Sequence, residues 1–466
     1  MASGEAFFWS FRLDQTKTRL WFAQACLEEG WARRVRLTIQ DGRIAAIDTE
    51  VEPGPEDERH AVALPGMPNL HSHAFQRAIA GLTEWRGQTG DNFWSWRDRM
   101  YRFLERIGPD EMQAIATLAY MEMLEAGYTR VGEFHYVHND LNGQAYAAPA
   151  EMAARLVAAA QSTGLGLTLL PVFYAHSDFG GAPPKPGQQR FVKSLDAFEA
   201  VLSACRTLTT YDDAQTGIAP HSLRAVTPHE LQRLLEMSPS GPVHIHAAEQ
   251  TGEVEACLAH YGARPVEWLL DKAGVGARWC LVHATHMTAE EISGLAGTAA
   301  VAGLCPLTEA NLGDGIFPAP EYLHAGGAFG IGSDSLITIS VAQELRMLEY
   351  SQRLSRRQRN VLAGWRIAST GGHLYRAVVT GGAQALGVTG HLKVGHAADI
   401  VSLDAGHVNF HGRQGDDLLD AHIFANASDA VDCVWRFGRK CVTGGRHRDR
   451  EAIVRAYRVA MEQMTA

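Results

Sequence analysis

The sequence predicts an α/β protein: a (β/α)8 TIM-type barrel with a small flanking β-sandwich domain built from both chain ends. Eight short runs, most of them apolar and β-rich, recur between Ala61 and Leu386 with helical stretches between several of them. Strand-like segments stand on either side of that region. Composition agrees: of 466 residues, 46% are hydrophobic and 20% charged. That charged share lies below the ~25% usual for globular proteins, which excludes disorder and allows a large buried core.

Residues 1–60 read as the N-terminal part of the small β domain. RLWFAQACL, RRVRLTIQ and RIAAIDTE are strand-like, and Asp41-Gly42 between the last two is a two-residue hairpin signal. VEPGPEDERH is a Pro/Gly/Glu loop that marks a boundary. Residues 61–386 form the barrel. Its eight runs are AVALPGMPNLHSH, TRVGEFHYVH, GLTLLPVFYAH, TGIAPHS, PVHIHAAE, CLVHATH, AVAGLCPLTE and AFGIGSDS. Continuous apolar runs are what a parallel sheet covered on both faces requires. Helices are expected at Pro109–Ala126, Glu151–Thr163, Pro228–Met237 and Gly252–Ala273. Residues 387–466 turn β again, through GHLKVGHAADIVSLD and the hairpin-like AVDCVWRFGRKCVTGGR, and finish in a helix at Arg448–Gln463.

Lys plus Arg number 42 against 52 Asp plus Glu, a formal charge of −10. A nucleic-acid or anionic-membrane partner would want a basic face, so neither is expected. The seven cysteines (26, 205, 257, 280, 305, 433 and 441) are odd in number and lack CxxC spacing. A disulfide framework is therefore not expected, and a reducing cytoplasm is. MASGEAFFWSFRLDQTKTRL lacks the basic and apolar regions of a signal peptide, and no apolar window is long enough to span a bilayer.

Seven of the eight runs end in a group able to bind metal or move protons. These are His71 with His73, Glu133 with His135, His176, His221, His246 with Glu249, His283, and Asp334. The C-terminal strand ends form the active face of a barrel, and histidines scattered at random would not choose that edge repeatedly. Side chains at i and i+2 of a strand share a face, so His71 and His73 point the same way. With His246 and Asp334 they supply three nitrogens and a carboxylate, a set that suits one divalent ion and leaves a position for water. Zinc is the default for such ligands, and iron fits them almost as well. No lysine stands beside His221 to bridge a second metal, which favours a single one. Glu249 sits where it can reach substrate rather than metal. His283 is, by position, a fifth ligand, a polariser of the substrate or a core histidine, and the polariser role is taken here.

At these residues the chain resembles the amidohydrolase superfamily, in its mononuclear deaminase branch. HxH on strand 1, HxxE on strand 5, His on strand 6 and Asp on strand 8 all stand in order. MPNLHSHAFQRAIAGLTEWRG, DNFWSWRDRMY and GEFHYVHND are closer to the formimidoylglutamate deiminases of histidine degradation than to guanine or S-adenosylhomocysteine deaminases. The resemblance implies a dicarboxylate substrate with an amidine head, and a homodimer. It makes Gln76, Arg97, Tyr136, His221 and Arg224 the substrate-binding set. Chemistry agrees on the arginines: a net-negative protein must attract a dianion locally, through guanidinium forks on its carboxylates. Trp94 and Trp96 receive no role, since packing is the commoner fate of such residues. The expected reaction has Asp334 as base, Glu249 as proton carrier to nitrogen and His283 as oxygen stabiliser, all acting beside one zinc held by His71, His73, His246 and Asp334. The alternative is a purine or pyrimidine aminohydrolase, which would use the same metal and Glu249 without needing the arginines.

Overall fold

A computed structural model describes residues 17–86, 91–364, 367–425 and 429–465. The first sixteen residues, part of the stretch expected to carry no leader, lie outside that set.

Eight strand positions follow one another in parallel order: β1 (Met67–Ser72), β2 (Tyr128–His135), β3 (Gly166–Phe173), β4 (Ala219–Pro220), β5 (Val243–Ala247), β6 (Trp279–His283), β7 (Val301–Leu304) and β8 (Ala328–Ile331). β1 to β4 form one parallel sheet and β5 to β8 another. Single bridges join the two on both sides, Ile218 to Val243 and Ser222 to His246 at one seam, Ser72 to Asp334 at the other. Every residue of β1, β2, β3, β5, β6 and β7 is buried. Helices cover their outer faces, which explains the uninterrupted apolar runs.

The first run is two strands. Glu58–Pro65 pairs with Thr18–Leu27 and Ile400–Leu403 in the flanking sheet, and only Met67–Ser72 enters the barrel. Gly66 separates them, with its amide on the Asp399 carbonyl at 2.9 Å. Alternation cannot reveal that break, because both halves are apolar. The flanking unit is one eight-stranded sheet drawn from both ends of the chain. It curls so that Leu20, Phe22, Val35 and Ile44 share a core with Ile400, Cys433 and Trp435.

Helices at Glu151–Thr163 and Pro228–Met237 fall where expected, and that at Pro109–Glu125 ends one residue early. The stretch expected as one helix from Gly252 to Ala273 is two, Thr251–Tyr261 and Pro265–Lys272. Gly262, in the left-handed region at φ 69°, caps the first, and Pro265 starts the second. The terminal helix spans Arg450–Thr465. Among the described residues no helix is long and apolar enough to cross a membrane.

A buried ionic cluster ties the flanking sheet to the barrel floor. Asp213 Oδ1 accepts from Arg130 Nη2 of β2 at 2.6 Å and from Arg436 of the flanking sheet, which also reaches Asp399 at 3.3 Å. Gly166 makes room for it: a Cβ there would lie 2.3 Å from Arg436 Nε.

Candidate metal centre and active-site cavity

His71 and His73 leave the end of β1 on one face, as the i, i+2 spacing requires, and His246 reaches the same point from β5. Their Nε2 atoms converge, His71 lying 3.2 Å from His73 and 3.1 Å from His246. His73 Nδ1 donates to the Phe134 carbonyl at 2.9 Å and His246 Nδ1 to the His221 carbonyl at 3.1 Å. Those bonds put the proton on Nδ1 and leave each Nε2 with a bare lone pair. His71 can donate to only one of the two, so the cluster holds more acceptors than donors. Burial pushes His73 down to about 3, and burial with mutual repulsion holds His71 and His246 well below the usual imidazole range. Three neutral imidazoles with opposed lone pairs in a buried pocket fit a divalent cation.

Asp334 completes the set. Its Oδ1 lies 3.4 Å from His73 Nε2 and 3.7 Å from His71 Nε2, while Oδ2 faces His283 at 3.8 Å. The chain after β8 is clamped onto β1: the Asp334 amide donates to the His71 carbonyl at 3.0 Å, and the His73 amide to the Asp334 carbonyl at 3.1 Å. Asn69 adds two bonds to Ser333, at 2.6 and 3.0 Å. Gly332 permits the approach, since a Cβ there would stand 2.7 Å from His71 Cβ. Asp334 at φ 44°, His283 at φ 68° and Ala248 at φ 52° are all left-handed without being glycine. Such strain gathers where surrounding structure over-determines a functional geometry. Burial lifts the Asp334 carboxyl to about 7 against the pull of His283.

His283 faces three carboxylates. Nε2 lies 3.6 Å from Glu249 Oε1, and Nδ1 lies 3.2 Å from Glu309 Oε1. Burial works against its charge, but Glu249, the Glu309 hydrogen bond and Asp334 outweigh that and raise it to about 10. Glu309 was absent from the candidates read in the sequence, although it closes the seventh run, the one run without an assigned polar group. It lies five residues past β7 and returns through its Oε1, which also accepts from the Cys305 amide at 2.8 Å. Asp314, also missed, lies buried beside Glu249 and His283, with Oδ2 unpartnered. Burial and Glu249 push it up to about 9.

The cavity above this cluster holds about 560 Å³, counting its open mouth. His73, His246, Glu249, His283 and Asp334 line its floor, and all five expected binding residues, Gln76, Arg97, Tyr136, His221 and Arg224, line it too. Gln76 Nε2 donates to the Tyr136 hydroxyl at 3.1 Å, and its Oε1 is buried without a partner. The Nε atoms of Arg97 and Arg224 are likewise buried and unpartnered. Trp96, Tyr101 and Tyr174 also face the cavity, which spacing alone did not single out.

Three of the strand-end groups do other work. His176 pairs with Glu230 at 2.9 Å. Glu133, which burial raises to about 8, accepts from the Ala74 amide at 2.7 Å and so fixes the turn behind His73. His135 packs against His138, ring centroids 5.2 Å apart.

Comparison with known proteins agrees with this geometry. The profile of the amidohydrolase family matches residues 62–441, and that described as formimidoylglutamate deiminase HutF, N-terminal domain, matches residues 18–61. A formimidoylglutamate deiminase of Pseudomonas aeruginosa is 48% identical over 93% of this chain and 96% of its own. An 8-oxoguanine deaminase of the same organism is 26% identical over 92% of this chain and 95% of its own. The crystal structure of an amidohydrolase from Brucella melitensis superposes with a TM-score of 0.93 at 52% identity, covering 96% of this chain and all of the other. Site geometry, fold and sequence thus agree, and the chain belongs to the amidohydrolase family, within which it groups with the formimidoylglutamate deiminases.

Proposed function

We propose that this protein hydrolyses N-formimidoyl-L-glutamate to N-formyl-L-glutamate and ammonia in histidine degradation. The observation that carries the reading is one cavity with two kinds of wall. Its floor is a cluster of histidines and acids, and it is also lined by two arginines whose buried Nε atoms have no partner. A linear amidine bearing two carboxylates matches both. A purine would bring no anion to the unpartnered Nε–H of either arginine. The 48% identity to a formimidoylglutamate deiminase supports the same substrate.

His71, His73, His246 and Asp334 would hold one divalent ion, zinc by the preference of three imidazoles and a carboxylate, which when bound supplies a water acidified toward neutrality. Arg97 and Arg224 grip the substrate carboxylates, and Gln76, Tyr136 and His221 shape the channel between them and the amidine. Asp334 takes the proton of the attacking water on Oδ2, the oxygen that faces His283. His283 stabilises the charge that develops on oxygen as the formimidoyl carbon becomes tetrahedral. Glu249 pairs with the amidinium as a carboxylate and relays the proton taken by Asp334 to the departing nitrogen, and the hydroxyl proton of the tetrahedral carbon then passes to Asp334. The C–N bond breaks, ammonia leaves, and the formyl group stays on the glutamate nitrogen. Seven buried, unpaired cysteines support a reducing cytoplasm as the setting.

The test is ammonia release from N-formimidoyl-L-glutamate, with guanine and cytosine run beside it and a metal-stripped control. Metal-dependent turnover of the first compound alone is expected. Turnover of guanine in its place would overturn the substrate.

A further inference from the structure

Arg97 and Arg224 converge on one cavity, yet neither is joined by a hydrogen bond or ion pair to any described residue. Like charges brought together repel, and although the charges of Glu253 and Glu249 favour Arg224 from a distance, no carboxylate among the described residues meets either guanidinium. The group present is an indole. The Arg97 guanidinium carbon lies 4.5 Å from the Trp94 ring centre, and that of Arg224 lies 5.9 Å from the same centre. Tyr101 takes a further position against Arg97, at 5.6 Å.

The helix that brings this about is α1 (Phe93–Leu104), on which Trp94, Arg97 and Tyr101 stand three and four residues apart along one face. Its start is fixed by Asn92, whose side chain accepts from the Trp94 amide at 3.0 Å and the Ser95 amide at 3.2 Å. Phe93 meets the indole edge-on at 5.0 Å. Trp94 does not line the cavity and is 37% exposed, so it stands behind the arginines rather than against a ligand. An aromatic face attracts a guanidinium through its plane and leaves the in-plane N–H donors free. A carboxylate in that place would occupy those donors and compete with an incoming carboxylate.

We propose that Trp94 is a positioning residue for dicarboxylate recognition, its indole holding Arg97 and Arg224 together with their hydrogen-bonding edges uncommitted. The inference rests on the substrate reading above, and the test keeps the two apart. Trp94→Ala, Trp94→Leu and Trp94→Phe are compared with wild type on N-formimidoyl-L-glutamate and on N-butylformamidine, which carries the amidine without carboxylates. Binding of glutarate is measured separately by calorimetry. Loss of the shared cation–π face should raise KM for the dicarboxylate by about 5- to 30-fold in the Ala and Leu variants. Their kcat should change less than about threefold, as expected when binding common to ground and transition states is lost. Glutarate affinity should fall in parallel, N-butylformamidine turnover should stay as in wild type, and Trp94→Phe should recover most of the loss. Equal losses on both substrates, or a Leu variant as good as wild type, would show packing alone and overturn the proposal. Wild-type protein that binds glutarate but leaves N-formimidoyl-L-glutamate intact would overturn the substrate, with the glutarate series still deciding the role of Trp94. Failure to bind either would overturn both.

Discussion

Replacing Glu309 with Gln removes one negative charge from the candidate site while keeping the shape that fills it. Glu309 is 5% exposed and touches neither the cavity nor the imidazole cluster, so its influence must pass through His283 Nδ1, 3.2 Å away. His283 is raised from an ordinary 6.5 to about 10, a preference for the imidazolium that prevails over the opposing effect of burial. Three carboxylates share that work against burial: Glu249, Glu309 and Asp334. Because the three also offset burial, their summed effect exceeds the net rise, and one of them is worth at least about tenfold in the protonation equilibrium. Glu309 acts through both a hydrogen bond and its charge.

The expected outcome for Glu309→Gln is a kcat lowered by about 10- to 100-fold, the usual cost of losing an orienting partner of a catalytic group. The pH profile gives the sharper test. A raised imidazolium pKa keeps His283 charged at neutral pH and loses that charge as pH climbs through about 10. Removing Glu309 lowers the pKa, so the alkaline limb of kcat should move toward neutrality by about one unit or more. The assay is kcat from pH 6 to 10.5 on metal-replete wild type and variant, with melting temperature as a folding control. An unmoved alkaline limb in a fully folded variant would refute the role given to His283 and Glu309 together.

Three further outcomes follow from the same geometry. Glu249→Gln and Asp334→Asn should each lower kcat by about 10²- to 10⁴-fold, and elemental analysis should find metal depleted in the second but not the first. Arg97→Met and Arg224→Met should each raise KM for N-formimidoyl-L-glutamate by about 10- to 100-fold through lost charge-assisted hydrogen bonds, with N-butylformamidine turnover unchanged. Asp213→Asn should destabilise the fold by about 3–5 kcal/mol, since it strips a shared partner from two buried guanidinium groups. In wild type, burial would raise Asp213, but Arg130 and Arg436 outweigh it and lower it from 3.8 to about 2. That shift stabilises the fold, a contribution present above pH 3.8 and lost as pH falls toward 2. Urea denaturation at neutral and acid pH checks both, and a variant as stable as wild type would show the cluster to be dispensable.

The groups legible in the sequence were those that a strand places directly. His71 and His73 share a face by the period of two, and His246, His283 and Asp334 each sit within a few residues of a strand end, so order along the chain stood in for position in space. The same rule overcounted: His176, Glu133 and His135 occupy strand ends yet bond to Glu230, to the Ala74 amide and against His138. A strand end fixes where a side chain begins, and the direction it takes depends on partners elsewhere in the chain. Glu309 and Asp314 escaped for the opposite reason, since both lie beyond β7, Glu309 on the helix Pro306–Leu312 and Asp314 just past it, and only the packing of that helix returns them to His283. The break at Gly66 was equally hidden, because Glu58–Pro65 and Met67–Ser72 pair in different sheets, a long-range matter that local hydropathy does not carry.

The backbone at His283 and Asp334 gives that division a physical cause. Both adopt positive φ, at 68° and 44°, conformations that cost an L-residue of order 1–3 kcal/mol. A propensity scale would place glycine at such positions, and glycine carries no side chain that could bind an ion or move a proton. The cost is offset by bonds made to other segments: the Asp334 amide to the His71 carbonyl, Asn69 to Ser333, and Glu309 to His283. Each crosses between strands or loops far apart in sequence, and each fixes one of the groups that must meet at the cavity floor. The same bonds therefore stabilise the strained turns and aim the side chains, so loosening one should be felt in the chemistry before it is felt in the fold. Glu309→Gln tests this at a residue that touches no substrate. Its effect on kcat should exceed anything its effect on melting temperature would lead one to expect.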